Sequence, residues 1–220
     1  MHVNLLILSR VLYAAASANL KHPHPFRTYP SRGSSSNYTI VEAVRATMAV
    51  PSHFLPVEIG PHLRQQRFIG GALGANNPTQ LLLSEASSIF GLERRVAQIL
   101  SLGSGSAKIV SLNSGSNGAG VAQLLNETAT DCEGVAQELF TRLYNVDAYL
   151  RLNVERGTDN ICLDNWLNLG DIEAHTRVYF DNPAVSAALD FSLRNLQERI
   201  GCITLGQIST YTSFCSQAGN

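Results

Sequence analysis

The chain has 220 residues, a length that suits one domain with a sizeable core and is short for two. Hydrophobic residues make up 45% and charged residues 15%, which is ordinary for a globular protein although the charged fraction is low. The net charge of −1 provides neither the basic surface that binds nucleic acid nor a polybasic patch for membranes. We therefore expect no nucleic-acid partner.

The cysteine and histidine residues predict neither disulfides nor a metal site. The four cysteines are far apart and form no C-x-x-C pair: Cys132, Cys162, Cys202 and Cys215. This favours free thiols in a reducing compartment, so we expect a cytoplasmic protein. His22 and His24 form the only close histidine pair, and no further ligands accompany them, so we expect no metal.

The first predicted element is a buried strand over Val3–Leu8, a continuous apolar run of strand length. A signal peptide is the alternative, but the apolar run is short and Arg10 interrupts it. Residues 22–37 are rich in proline, serine and glycine, which predicts a loop.

A helix is predicted from Thr39, because T-I-V-E is a capping box in which Thr39 and Glu42 each satisfy an unpaired backbone amide. Its predicted inner face consists of Ala43, Val44, Thr47 and Met48. Pro51 cannot continue a helix and is expected to end it.

The segments "FLPVEIG" and "RFIGG" predict two short strands. Asn77 is a predicted N-cap, with Pro78 at the first helical position and Gln80 completing a variant of the capping box. The helix is expected to end at Gly91, and "RRVAQILSLGSGS" then predicts an apolar strand. A strand–helix–strand order of this kind predicts a parallel pair joined by a right-handed crossover.

The rest of the chain is predicted to be mainly helical. A loop is expected over 111–120 and a helix over 121–143, followed by a final strand in "AYLRLNV". Residues 161–200 are expected to be mostly helical, with a new helix starting at Asn182-Pro183. The fold class is therefore α/β.

Searches for catalytic loops give only near misses. Gly103-Ser-Gly105 and Gly118-Ala-Gly120 each lack the final glycine of G-x-G-x-x-G, so we expect no nucleotide and no other cofactor. Ser114–Gly118 approaches the G-x-S-x-G elbow of hydrolases, but a serine replaces its first glycine. A serine-rich loop is the simpler interpretation.

An ordered set of segments nevertheless resembles the second half of a patatin-like phospholipase domain. The segments are "PFRTY", "TIVEAVRATMAVPSHFLPVEIG", "RFIGGALGANNPTQLLLSEASSIFG", "ILSLGSGS", "ATDCEGVAQELF", "YLRLNVERG" and "IEAHTRVYF". The corresponding family patterns include F-R-[ST]-Y, W-E-A-x-R-A-T-[SA]-A-A-P-x-F-F, F-x-D-G-[GA]-L-x-x-N-N-P and I-L-S-[IL]-G-T-G. Each segment is weak alone, and their order makes the resemblance specific.

The resemblance implies a lipid acyl hydrolase that uses a serine–aspartate dyad. The family serine lies in G-x-S-x-G, and a glycine-rich loop upstream forms the oxyanion hole. Neither motif occurs in these 220 residues. The family aspartate lies in D-G-[GA], and alignment without gaps places Gly70, Gly71 and Ala72 at those positions.

The turn that follows these positions offers no replacement for the aspartate, because the nearest carboxylates are Glu58 and Glu85. Gly74, Asn76 and Asn77 complete this flanking turn, and we expect the two asparagines to form the turn and the helix cap rather than to act in catalysis. No residue of this chain is therefore predicted to be catalytic.

The resemblance also implies a partial three-layer sandwich with a mostly parallel sheet, from which the first half of the domain is missing. Residues 1–200 are assigned to this partial domain, and 201–220 form a tail without resemblance. The expected function is that of an inactive, truncated lipid acyl hydrolase. One alternative is a non-catalytic module that binds a lipid or membrane surface or a protein, or that self-associates through an exposed sheet edge. An incomplete gene model is the other.

Overall fold

The computed structural model describes residues 12–17, 23–29, 38–51, 53–105, 131–158, 161, 166–198 and 201–209. The predicted strand at Val3–Leu8, the loop at 111–120 and the near-elbow at 114–118 lie outside these residues. The described fold mixes helices with small sheets, which confirms the α/β class. The chain divides into two compact units, Met1–Asn76 and Asn77–Asn220.

The first unit contains a four-stranded sheet. Its elements are β1 (Leu12–Ser17), β2 (Pro23–Arg27), α1 (Ile40–Met48), β3 (Val57–Ile59), β4 (Gln66–Gly70) and the short helix α2 (Ala72–Ala75). The strand order is β2-β1-β4-β3, and every neighbouring pair is antiparallel. The two strands predicted from "FLPVEIG" and "RFIGG" are confirmed as the β3–β4 pair.

The predicted loop at 22–37 is wrong for Pro23–Arg27, which is the edge strand β2. Proline is tolerated on an edge strand when its missing N–H would face away from the neighbouring strand. Pro23 and Pro25 are two residues apart and pair with Ala16 and Ala14 of β1, so they share one orientation along the ladder.

The capping box of α1 is confirmed. The Thr39 hydroxyl accepts a hydrogen bond from the Glu42 amide at 3.2 Å, and the Glu42 carboxylate accepts one from the Thr39 amide at 2.7 Å. The predicted inner face is wrong at Met48, which is largely exposed, because Ala43, Ala46 and Ala49 carry the packing instead. Alanines three residues apart allow α1 to lie close to the sheet, whose core contains Phe26 and Phe68.

The second unit contains most of the helices. Its elements are α3 (Thr79–Phe90), β5 (Arg95–Val96), β6 (Ile99–Leu102), α4 (Glu133–Leu143), β7 (Tyr149–Leu152), α5 (Leu169–Phe180), α6 (Pro183–Glu198) and β8 (Ile203–Thr204), followed by a short helix at 205–209. The predicted helices ending at Gly91 and starting after Asn182 are confirmed. The helix predicted over 121–143 is confirmed for 133–143, and the part before residue 131 lies outside the described residues.

The predicted parallel pair across α3 does not form. Both sides of β4 are already occupied by β1 and β3, so β4 has no free edge to accept another strand. β6 pairs instead with β7, and this is the one parallel pair among the described strands, where the other four pairings are antiparallel. The expected mostly parallel sheet is therefore wrong for the described part of the chain.

The strand predicted in "AYLRLNV" is confirmed as β7, but it is not the last one, because β8 follows and pairs with β5. Residues 201–209 of the predicted tail contribute Ile203, Leu205 and Ile208 to the buried core. Ile203 and Ile208 pack in one cluster with Ile99 and Leu143. The division of the chain at residue 200 stays a prediction about where the family resemblance ends.

Candidate functional site

The glycine turn that matches the family's aspartate motif is tightly packed. Gly70 is the last residue of β4, and its amide donates to the Ala49 carbonyl at 2.7 Å. A Cβ added at Gly70 would lie 3.0 Å from the Val50 nitrogen and 3.2 Å from the Thr47 carbonyl oxygen. Position 70 therefore carries no ionisable group and leaves little room for one.

The residues after Gly70 form a turn rather than a reactive centre. Gly71 precedes the short helix α2, which starts at Ala72. Gly74 has a φ of +86°, a backbone conformation that glycine adopts without a steric penalty. Asn76 is exposed. No carboxylate or imidazole lies among these residues.

The predicted N-cap is wrong by one residue, because α3 starts at Thr79 and Pro78, not Asn77, stands at the N-cap position. The Asn77 side-chain oxygen nevertheless accepts from the Thr79 backbone amide at 3.3 Å and from the Thr79 hydroxyl at 2.6 Å, so it contacts the first residue of α3. Its side-chain nitrogen donates to the Cys132 carbonyl at 3.1 Å. The predicted role of Gln80 is wrong, because its amide contacts Glu138 on α4 instead of closing the capping box.

Polar side chains gather at the carboxyl ends of β6 and β7. This is the end of a parallel sheet at which α/β proteins bind their ligands. The buried or partly buried side chains of this polar network are Thr79, Ser101, Cys132, Arg151, Asn153 and Tyr179. Glu133, the first residue of α4, completes the network from its exposed side.

Arg151 is the centre of the polar network. Its guanidinium donates to the Ser101 hydroxyl at 3.0 Å and to the Glu133 carboxylate at 2.8 Å, and it lies 3.3 Å from the Cys132 sulfur. Only 10% of the Arg151 side chain is exposed, so these contacts replace most of its hydration. One cation thus connects β6, β7 and α4.

Asn153 fixes the loop that follows β6. Its side-chain oxygen accepts from the Gly105 amide at 2.8 Å, and its side-chain nitrogen donates to Glu133 at 3.1 Å. The backbone amide of Asn153 donates to the Tyr179 hydroxyl at 3.3 Å. A Cβ at Gly103 would collide with the Asn153 side chain, which explains a glycine at this position.

The electrostatics of the network oppose nucleophilic catalysis. Burial and a hydrogen bond to Glu133 raise the pKa of the Cys132 thiol, and the charge of Arg151 only partly offsets them. The thiol is therefore protonated at neutral pH and is a poor nucleophile. Burial alone would lower the pKa of Arg151, but the hydrogen bond and charge of Glu133 outweigh it and the net shift is upward.

Among the described residues, no base contacts Ser101 to activate it. Its described partners are the Arg151 guanidinium and the Thr79 hydroxyl, the latter at 3.5 Å. A serine needs a neighbouring base to take its proton, and a guanidinium only donates. The described contacts of Ser101 therefore hold its hydroxyl in place without offering it a proton acceptor.

No metal site or membrane-spanning helix is found in the described residues. No group of three or more histidine, cysteine, aspartate or glutamate side chains there is arranged to hold a metal ion. His24 packs instead against the rings of Phe26 and Phe68, with ring centroids 4.9 and 5.1 Å away. Cys132 and Cys202 are free thiols, and Cys162 and Cys215 lie outside the described residues. No described helix is both long and apolar enough to cross a bilayer.

Sequence reasoning did not predict the polar network. Arg151 on β7 and Asn153, the residue just after β7, alternate with apolar residues, a spacing that favours one side of the chain for both. That pattern was the available signal, but nothing local indicates that Glu133 lies beside them. Compared with protein-family models and with curated proteins, this chain gives no match.

Proposed function

We propose that this chain carries the later part of a patatin-like lipid acyl hydrolase domain and that it does not hydrolyse esters as it stands. One observation carries the proposal. Four of the segments that resemble the family each supply a side chain to the polar network: Ser101, Glu133, Arg151 and Tyr179. The resemblance is inferred from the order of these segments along the sequence. Their contact in the structure, despite their separation along the chain, supports it.

The absence of hydrolysis is argued from residue 70 and from the network. Gly70 occupies the position of the family's base, and its packing leaves little space for a carboxylate. Ser101 is held by a cation, and no G-x-S-x-G motif occurs in the sequence. Loss of a nucleophile or its base lowers hydrolase turnover by about 10⁴- to 10⁶-fold.

Turnover of a chromogenic acyl ester by the purified chain tests this proposal. We expect no turnover above background that a fluorophosphonate abolishes. Ser101→Ala serves as a control and should leave the background rate unchanged, because no base among the described residues contacts Ser101. Fluorophosphonate-sensitive turnover would contradict the proposal.

A second candidate, a non-catalytic lipid- or protein-binding module, is favoured by the outer face of β6. Ile99 and Ser101 are buried, whereas Leu100 and Leu102 on the opposite face are 42% and 71% exposed. Parallel strands in α/β proteins are normally covered on both faces. An uncovered apolar face of this kind is a candidate surface for association.

Liposome flotation and size-exclusion chromatography with light scattering test the binding module. We expect association to weaken in Leu102→Ser. The control is Leu55→Ser, which removes a leucine of the first unit that is even more exposed than Leu102. A monomer that binds no vesicles before and after both substitutions would count against this candidate.

A further inference from the structure

A cavity of about 430 Å³ lies next to the polar network, on the side of β7 that faces α4. Three aromatic rings line it, those of Phe140, Tyr149 and Tyr179, together with the carboxylates of Glu133 and Glu155. Its volume falls within the range of small-molecule sites, about 300–1,000 Å³. Neither the resemblance nor the proposed function assigns it a role.

The charge of this cavity favours a cation. Its charged lining consists of Glu133, Glu155 and Arg151, which gives a net formal charge of −1. Arg151 is already paired with Glu133 at 2.8 Å. Glu155 takes part in none of the ion pairs of the described residues, so its negative charge is uncompensated. An anionic ligand would be repelled here.

Two residues that line the cavity each carry a polar atom without a hydrogen-bond partner among the described residues. These atoms are the Tyr149 hydroxyl and the Nε of Arg151, and both are buried. The two side chains are two residues apart on β7 and lie on the same side of the strand. Buried polar atoms without partners are uncommon and destabilising, and each of these two can donate a hydrogen bond to an oxygen atom.

We infer that this cavity binds a small organic ammonium compound that also carries a hydroxyl or ether oxygen. The ammonium group lies against the aromatic rings and near Glu155, where cation–π attraction and the carboxylate act together. The oxygen of the compound accepts a hydrogen bond from the Tyr149 hydroxyl or from the Arg151 Nε, the two buried donors of the lining residues without a described partner. This inference does not depend on the proposed hydrolase ancestry.

Isothermal titration of the full chain with choline tests the inference, with two analogues as probes. The neutral isostere 3,3-dimethylbutan-1-ol has the shape of choline without its charge, and tetramethylammonium has the charge without the oxygen. We expect choline to bind about tenfold more tightly than the neutral alcohol, because only choline gains the cation–π and carboxylate attraction. Equal affinity for the two compounds, or no saturable binding of choline, would overturn the inference.

Two substitutions separate the two halves of the site. Glu155→Gln should lower the affinity for choline and for tetramethylammonium alike, by about fivefold. Tyr149→Phe should lower the affinity for choline and leave that for tetramethylammonium unchanged. The control is Glu173→Gln, which removes an exposed carboxylate paired with Arg177 on α5. If Glu173→Gln lowers the affinity for choline as much as Glu155→Gln does, the loss comes from the net charge of the protein rather than from the cavity, and the inference fails.

The same compound could be a free solute or a lipid head group. Flotation with phosphatidylcholine vesicles, compared with phosphatidylglycerol vesicles, separates these sources. If the protein binds free choline but does not float with phosphatidylcholine vesicles, the ligand is a free solute. If it binds both choline and these vesicles, the ligand is the lipid head group. Binding to phosphatidylglycerol vesicles alone contradicts a site for cations.

Discussion

Replacing Gly70 by aspartate would put a carboxylate where the patatin-like motif carries one, and we expect the protein to lose stability. The added Cβ would lie 3.0 Å from the Val50 nitrogen, 3.1 Å from the Ala49 carbonyl carbon and 3.2 Å from the Thr47 oxygen. All three are backbone atoms, which cannot rotate away as the end of a side chain can. The chain that follows α1 or the end of β4 must therefore move.

The size of the effect follows from three contributions. Overpacking costs about 1–3 kcal/mol, and a buried carboxyl group without partners adds about 1–3 kcal/mol. Replacing glycine also reduces the conformational entropy of the unfolded chain, which stabilises the folded state by about 0.4–1 kcal/mol. We expect Gly70→Asp to lower the free energy of unfolding by about 3 kcal/mol and Gly70→Ala by about 1 kcal/mol.

Urea unfolding followed by circular dichroism measures these differences. Gly170→Asp is the matched control, because Gly170 is the second residue of α5 and a Cβ there would meet nothing within 4 Å. An acid in the first turn of a helix is favourable, so this control should be neutral or gain up to about 1 kcal/mol. If Gly70→Asp unfolds at the same urea concentration as the unsubstituted protein, the packing argument is refuted.

Three further predictions concern the capping box, the partly buried His24 and the polar network. Thr39→Ala should cost about 1 kcal/mol of unfolding free energy in urea titrations and Thr39→Ser much less, since only alanine removes the capping oxygen; equal losses would contradict this. Burial lowers the pKa of His24 below its ordinary 6.5, so the unfolded chain binds the proton more readily and stability should fall as the pH drops through 6.5. Urea midpoints above and below that pH check it, and His24→Gln should remove the dependence. Glu133→Gln should lower the free energy of unfolding by about 1–2 kcal/mol by the same method, because Arg151 loses its carboxylate partner. Glu173→Gln, at an exposed ion pair, should change it by no more than about 0.5 kcal/mol. Similar losses in the two variants would argue against a special role for Glu133.

The features that sequence predicted correctly depend on neighbouring residues. The Thr39–Glu42 capping box, the helix stop at Gly91 and the helix start after Asn182 are all set within four residues. Their geometry follows from local backbone chemistry, so no knowledge of the rest of the fold is needed.

The features that sequence did not predict depend on pairing between distant segments. Pro23 and Pro25 are compatible with a loop or with an edge strand, and only the pairing of β2 with β1 decides between them. In the same way, Arg151 meets Ser101 because β7 pairs with β6, fifty positions earlier in the chain. Strand partners of this kind are not encoded in any short segment.

Intact-mass spectrometry after incubation with a fluorophosphonate measures most directly whether any serine of this chain is an activated nucleophile. Because Gly70 supplies no base and Ser101 is held by Arg151, we expect the mass of the folded chain to remain unchanged. A stoichiometric adduct that maps to a single serine would contradict this account.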